Sequence, residues 1–130
     1  MQEVRRRRLV IFILLASVPA ECSCGVDSEK ELVGTYRVEN EEGYAILTLH
    51  ADRTYLQTIH YKDGRELTAE GKWEFRTEHQ ALVLWNSYAV FPSNFGGKFE
   101  ADMLPVRKMF GSVSLVTNAD YGLVYKKQKE

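Results

Sequence analysis

From Glu31 onward, the chain alternates apolar and polar residues in short runs, and turn residues separate the runs. Gly34–Glu39 and Tyr44–His50 show the alternation most clearly, with Asn40–Gly43 between them as a turn. A period of two places every second side chain on one face of an extended strand, whereas an amphipathic helix needs a period of about 3.6. No long helix is indicated after residue 20. The alternation therefore restricts the chain to an all-β fold.

Later runs extend the same pattern towards the C-terminus. Asp63–Gly64 is a strong hairpin signal and predicts a type I′ turn, because that turn needs positive φ at both central residues. Ala81–Trp85 is a continuous apolar run, which is typical of either a strand buried on both faces or a short helix, and its β-forming residues favour the strand. The other predicted strands after residue 50 are Thr54–Lys62, Arg65–Ala69, Lys72–Arg76, Phe99–Met103, Met109–Thr117 and Tyr121–Lys127.

Short loops join about eight predicted strands, and no long crossover connection is evident. Closing such a sheet removes its exposed edges. We therefore predict a single antiparallel up-and-down barrel over residues 31–127, with an open sandwich as the alternative. A barrel of about eight strands is either filled by side chains or holds one small ligand. Residues 128–130 are expected to fray.

The N-terminus has the layout of a secretory signal. Arg5–Arg8 is basic, Leu9–Ala16 is purely apolar, and Ser17–Ala20 ends in small residues where a peptidase could cut. The apolar run is much shorter than the ~20 residues that span a bilayer. We predict a signal helix over residues 1–20, cleaved on export to the periplasm. An uncleaved anchor or a buried helix is the alternative.

Two cysteines, Cys22 and Cys24, follow the signal, and the chain has no others. A disulfide framework for the barrel is therefore excluded. The layout resembles that of a bacterial lipoprotein, which implies lipid attachment at Cys22 or Cys24 and a membrane-tethered protein. Residues 21–30 have no apolar period and are predicted to form a polar tether.

Three motifs resemble the lipocalin-like small barrels of exported bacterial proteins. They are Gly34-x-Tyr36, Leu47-x-Leu49-x-Ala51-Asp52-x-Thr54-Tyr55 and Gly71-x-Trp73. The resemblance covers residues 32 to about 75 best. It implies ligand binding or scaffolding in the cell envelope and brings no catalytic set.

No constellation in the sequence indicates catalysis or metal binding. If Leu49 pairs with Leu56, the imidazoles of His50 and His60 lie on opposite faces of the sheet, so no metal site is predicted. Glu100 and Asp102 are interpreted as a solvated edge rather than a glycosidase pair. Nucleophile and zinc-protease motifs do not occur. We therefore expect no enzyme activity and no cofactor. The mildly acidic body also argues against a nucleic-acid partner.

Aromatic residues are the remaining functional signal, since one inward ring per strand would fill or line a small barrel. The predicted interior ligand-binding residues are Tyr36, Tyr55, Gln57, Trp73 and Trp85, and the predicted rim residues are Tyr88, Phe91 and Phe95. The leading hypothesis is an exported, non-enzymatic barrel that binds a small apolar ligand or an envelope protein. The alternative is a structural or interaction module with a filled core. Membrane contact is expected only through the signal segment or a lipid anchor.

Overall fold

The structure, a computed structural model, describes residues 25–94 and 97–129. Eight antiparallel strands form one closed barrel in which each strand pairs with the next and the last returns to the first. The strands are β1 (Gly34–Asn40), β2 (Gly43–Leu49), β3 (Thr54–Tyr61), β4 (Glu66–Arg76), β5 (Ala81–Tyr88), β6 (Lys98–Met109), β7 (Ser112–Asn118) and β8 (Leu123–Lys127). The predicted all-β up-and-down barrel is confirmed.

Several predictions from the N-terminal sequence fall on residues that the structure does not describe. The signal helix over 1–20 and the lipid acceptors Cys22 and Cys24 lie outside the described residues. Within residues 25–94 and 97–129, no helix combines the length and hydropathy needed to cross a bilayer.

The period-two pattern sets which side chains fill the barrel. In β2, every second residue from Gly43 to Leu49 is buried, and the residues between them are half-buried. The β2–β3 register pairs Leu49 with Tyr55 and Ala45 with Ile59. The predicted pairing of Leu49 with Leu56 is therefore wrong by one residue. The observed register sets the apolar faces of both strands against the same core, which a one-residue slip would undo.

Strand β4 changes partner part-way along its length. Residues 66–72 pair with β3, whereas only Trp73–Arg76 pair with β5, through Ala81–Leu84. The β3–β4 register is continuous through Gly71, with no bulge. The second half of β5, from Trp85 to Tyr88, therefore has no strand partner on its β4 side.

Two hairpin turns differ from their sequence signals. At Asp63–Gly64 only Gly64 has positive φ, at 99°, so the turn is not type I′. The predicted strand from Met109 to Thr117 is instead broken by a two-residue turn, Phe110–Gly111, with φ of 51° and 81°. Positive φ at both central residues makes this second turn the type I′ hairpin.

The segment before β1 packs against the barrel rather than hanging free as a tether. Val26 is buried, and its backbone N–H and C=O both bond the side-chain amide of Gln80, at 2.8 and 3.1 Å. Glu31 forms an ion pair with Lys108 at the end of β6. At the other terminus, the backbone N–H of Gln128 donates to the carbonyl of Thr35 at 2.8 Å, which fixes the start of the predicted tail.

Candidate functional site

The candidate site is a polar network in the barrel interior, next to the half of β5 that pairs with β6 but not with β4. Gln57, on the inward face of β3, is 1% exposed. Its Oε1 accepts from the backbone N–H of Tyr88 at 2.8 Å, and its Nε2 donates to the carbonyl of Tyr88 at 3.1 Å. The hydroxyl of Tyr55, two residues earlier, donates to the carbonyl of Trp85 at 2.6 Å. Two side chains of β3 thus replace the strand partner that β5 lacks.

Tyr125 extends this network across the barrel. Nε2 of Gln57 also lies 3.2 Å from the Tyr125 hydroxyl. Burial raises the pKa of Tyr125 above its ordinary range and that of Tyr55 to about 12, so both phenols keep their protons at neutral pH. The Gln57 amide contacts three groups, which leaves it little capacity to hold a ligand.

Asp102 is the ionisable group of the interior. It lies on β6, where it pairs with Leu84 of β5, and Leu84 in turn pairs with Trp73 of β4. The Asp102 side chain is half-buried. Burial raises the pKa of its carboxyl to about 6. Its charge also contributes to the raised pKa of Tyr55 and Tyr125. The interpretation of Asp102 as part of a solvated edge is therefore wrong.

The chemistry that this cluster offers is proton exchange at Asp102. A carboxyl with a pKa near 6 can act as a general acid or base. Among residues 25–94 and 97–129, no group of three His, Cys, Asp or Glu side chains is arranged to hold a metal ion. Ser87 is fully buried, and its hydroxyl has no hydrogen-bond partner within the described part of the chain.

Side chains fill the barrel around this network. Tyr36, Leu47, Leu82, Leu104 and Tyr125 are all 0% exposed. A side chain that lined a void as wide as a water molecule would keep some accessible surface. The Tyr36 hydroxyl donates to the Leu32 carbonyl at 2.7 Å, and the Trp73 indole N–H donates to that of His50 at 3.0 Å. These interior rings therefore have both packing and hydrogen-bond partners inside the protein.

Phe91 closes the end of the barrel at which the β3–β4 turn lies. Its ring is fully buried and meets the Tyr61 ring edge-on, with centroids 6.0 Å apart. Phe91, Ser93 and Asn94 all adopt positive φ. The Ser93 N–H donates to the Glu42 carboxylate at 2.7 Å and so ties the loop to the β1–β2 turn. Phe91, a predicted rim residue, lies at this end of the barrel with its ring buried in the core.

The structure thus brings together four of the five predicted interior residues. Tyr36, Tyr55, Gln57 and Trp73 point inward and are buried. Trp85 does not join them, because it follows the inward Leu84, pairs with Ala101 and lies half-buried on the outer face. Tyr88 is partly buried against the core at the rim, and Phe95 lies outside the described residues.

Sequence reasoning missed two members of this cluster, Asp102 and Tyr125. Tyr125 had a usable signal, since it alternates with Leu123 as an inward position of the last strand. Asp102 had none, because a polar residue on an inward face contradicts the pattern used to assign that face.

The outer surface of β6 is unusually apolar for a water-facing strand. Its outward residues, which alternate with the inward Leu104 and Val106, are Phe99, Ala101, Met103, Pro105, Arg107 and Met109. Met103 and Met109 are 48% and 63% exposed. We call this set the β6 stripe. The outward face of β4 carries Thr68, Glu70 and Lys72 instead, as expected of a solvated strand.

Comparison with protein-family models, with curated proteins and with solved structures finds no match for this chain. The closed eight-stranded barrel is consistent with the lipocalin-like resemblance at the level of architecture. Function must therefore be argued from the residues themselves.

Proposed function

We propose that this chain is an exported, non-enzymatic β-barrel module that binds a protein partner of the cell envelope through its outer surface. The observation that carries the proposal is the contrast between the two faces of β6. The inward face packs Leu104 and Val106 into a filled core, while the outward face presents an exposed apolar stripe.

The filled interior argues for the outer surface as the place of binding. Tyr55 and Gln57, two of the residues predicted to hold a ligand, already bond the backbone of β5. A small apolar ligand would have to displace rings such as Trp73, which is 2% exposed. Because these rings are packed in the core, that displacement would cost packing free energy.

The β6 stripe has the composition of an interaction surface. Methionine and phenylalanine are enriched in protein interfaces, and large exposed apolar patches rimmed by polar residues mark contact sites. Arg107 is the single charged residue of the stripe. Export is supported by the basic, apolar and small-residue order of residues 1–20.

A photoreactive amino acid placed at Met103 in the producing bacterium tests the proposal. We expect irradiation to yield one discrete adduct with an envelope protein. A matched chain carrying the same group at Thr68, an exposed outward position on β4, should yield none. Met103→Lys, with the photoreactive group moved to Ala101, should lose the adduct, because a charge in the contact is costly to desolvate.

Adducts from both positions, or from neither, would contradict the proposal. An adduct of twice the chain mass would identify the occupant as a second copy and make the stripe a dimer interface. Native mass spectrometry of the same material provides a separate check. An extra mass that leaves on denaturation would favour the small-ligand hypothesis instead.

A further inference from the structure

The turn between β6 and β7 carries an aromatic side chain where the backbone disfavours one. Phe110 is the first central residue of the type I′ turn, with φ of 51°, and its side chain is 100% exposed. Bulky residues are rare in this left-handed region, and Asn, Asp or Gly usually occupies the position. Neither turn geometry nor core packing accounts for a phenylalanine here, so the strained position points to a contact outside the protein.

The turn Phe110–Gly111 forms the tip of the β6–β7 hairpin. The residues at this tip are apolar, and those beside its base are cationic. Met109, next along the chain, is 63% exposed. A groove of about 530 Å³ beside the tip is lined by Phe110 together with Glu31, Lys108, Lys127 and Lys129. Glu31 is the one carboxylate among these, and it is already paired with Lys108. The base of the tip therefore has an excess of positive charge.

This end of the barrel is also the end at which the N-terminal segment arrives. The backbone carbonyl of Glu31 accepts from the Lys127 ammonium at 2.7 Å, so the residues just before β1 lie beside the cationic groove. The apolar run 9–16 and the two cysteines precede this point in the sequence. Any anchor in that region would hold the Phe110 end of the barrel close to the bilayer.

We propose that this end of the barrel rests on an anionic membrane surface, with the Phe110 ring inserted among the lipid headgroups. An exposed phenylalanine ring buries its apolar surface when it enters the boundary between headgroups and acyl chains. Lysines beside the tip would lie over lipid phosphates, each contributing through the negative surface potential. One aromatic tip and a few lysines bind weakly, so the contact orients an anchored barrel rather than recruiting it.

The opposite end provides a matched control. Its turns carry four carboxylates against the two cations Lys62 and Arg65, a net negative charge that an anionic surface would repel; the carboxylates are Glu41, Glu42, Asp63 and Asp120. It also carries Tyr121, an exposed aromatic residue at 64%, in the connection between β7 and β8. The two ends thus differ in charge while each presents one exposed ring.

Site-specific tryptophan fluorescence on the full chain tests the proposal. Phe110→Trp and Tyr121→Trp are each mixed with phosphatidylglycerol-containing vesicles that include brominated phosphatidylcholine. We expect the vesicles to shift the Phe110→Trp emission to the blue and their brominated chains to quench it, while the emission of Tyr121→Trp does not change when vesicles are added. Trp73 and Trp85 form the same background in both variants.

Co-sedimentation in the same samples shows whether the protein is bound, so binding through the N-terminal segment alone can be recognised. Bound protein with an unshifted Phe110→Trp signal, or equal changes in the two variants, would overturn the proposal. The Phe110→Trp signal also measures the affinity for vesicles. This affinity should be at least about five-fold lower for neutral phosphatidylcholine vesicles, because one lysine near an anionic surface contributes about that factor. Equal signals on both vesicle types would overturn the anionic preference.

Discussion

The side-chain amide of Gln57 acts as a strand partner for Tyr88, accepting from its backbone N–H at 2.8 Å and donating to its backbone carbonyl at 3.1 Å. This pairing lies where β5 has separated from β4. A polar side chain inside a small barrel would ordinarily be a cost. Here the cost is offset because the amide satisfies backbone groups that are themselves buried.

Replacing Gln57 by leucine should therefore destabilise the barrel strongly. Leucine keeps the apolar volume but leaves the Tyr88 backbone groups without partners, which costs about 2–4 kcal/mol in the free energy of unfolding. Urea denaturation measures the loss, with Thr58→Ala on the outward face of β3 as the control. Hydrogen exchange at the Tyr88 amide should accelerate in the same variant. A loss as small as that of the control would contradict the role assigned to Gln57.

Gly71→Ala should also weaken the barrel, for a steric reason. A Cβ at this position would lie 2.5 Å from the Trp85 carbonyl oxygen and 3.0 Å from the Tyr55 ring. Moving these groups apart would break the Tyr55 to Trp85 hydrogen bond, and we expect a loss of roughly 1–3 kcal/mol. Glu70→Ala, one residue away and exposed, is the control. In a double-mutant cycle, Tyr55→Phe and Gly71→Ala should cost less together than separately, because they disrupt one shared contact. Additive losses would argue against that contact.

Alternation in the sequence was enough to assign the interior where it was regular. Tyr36, Tyr55 and Trp73 each follow a clean period of two, and each points inward. The face of Trp85 could not be read in this way, because the run Ala81–Trp85 has no polar residue to mark the outside. That run is buried on both faces through Leu84, so hydrophobicity alone does not distinguish inward from outward positions.

Turn type was less accessible to sequence reasoning than strand pattern. Asp63–Gly64 has the residues of a type I′ turn, yet the backbone N–H of Tyr61 bonds the Arg65 carbonyl across a longer loop. Phe110–Gly111 lacks the preferred first residue but forms the two-residue turn, because Met109 and Ser112 pair directly. Pairing on either side of the turn thus outweighs local preference. The phenylalanine at the first central position of this turn, where Asn, Asp or Gly is usual, makes Phe110 a functional candidate.

Asp102 should make the barrel less stable as pH rises through the mildly acidic range. Its pKa is about 6 in the fold, against an ordinary value of 3.8, so the folded state binds the proton more tightly. The free energy of unfolding that this group contributes is therefore highest below pH 4 and is lost by about pH 6. Asp102→Asn removes this dependence and should stabilise the protein at pH 7 by roughly 1–2 kcal/mol, allowing for partial exposure.

Urea denaturation at several pH values checks this prediction. At each pH, the free energy of unfolding of the wild type is subtracted from that of Asp102→Asn. The difference matters because Glu31, Asp52 and Asp63 have lowered pKa values and give the opposite slope. Glu100→Gln, an exposed carboxyl on the same strand, is the control. A difference curve that stays flat between pH 4 and pH 7 would mean that the Asp102 carboxyl is not held in its neutral form.

Phe110→Asn should stabilise the isolated protein. Asparagine tolerates positive φ in type I′ turns far better than phenylalanine, and the fully exposed ring has no packing to lose. We expect a gain of about 1 kcal/mol, seen as a rise in Tm of several degrees for a barrel of this size. Phe110→Ala, which removes the ring without supplying a residue suited to this backbone, should gain much less. Equal gains from both variants would show that the exposed ring, and not the φ of 51°, carries the cost at this turn.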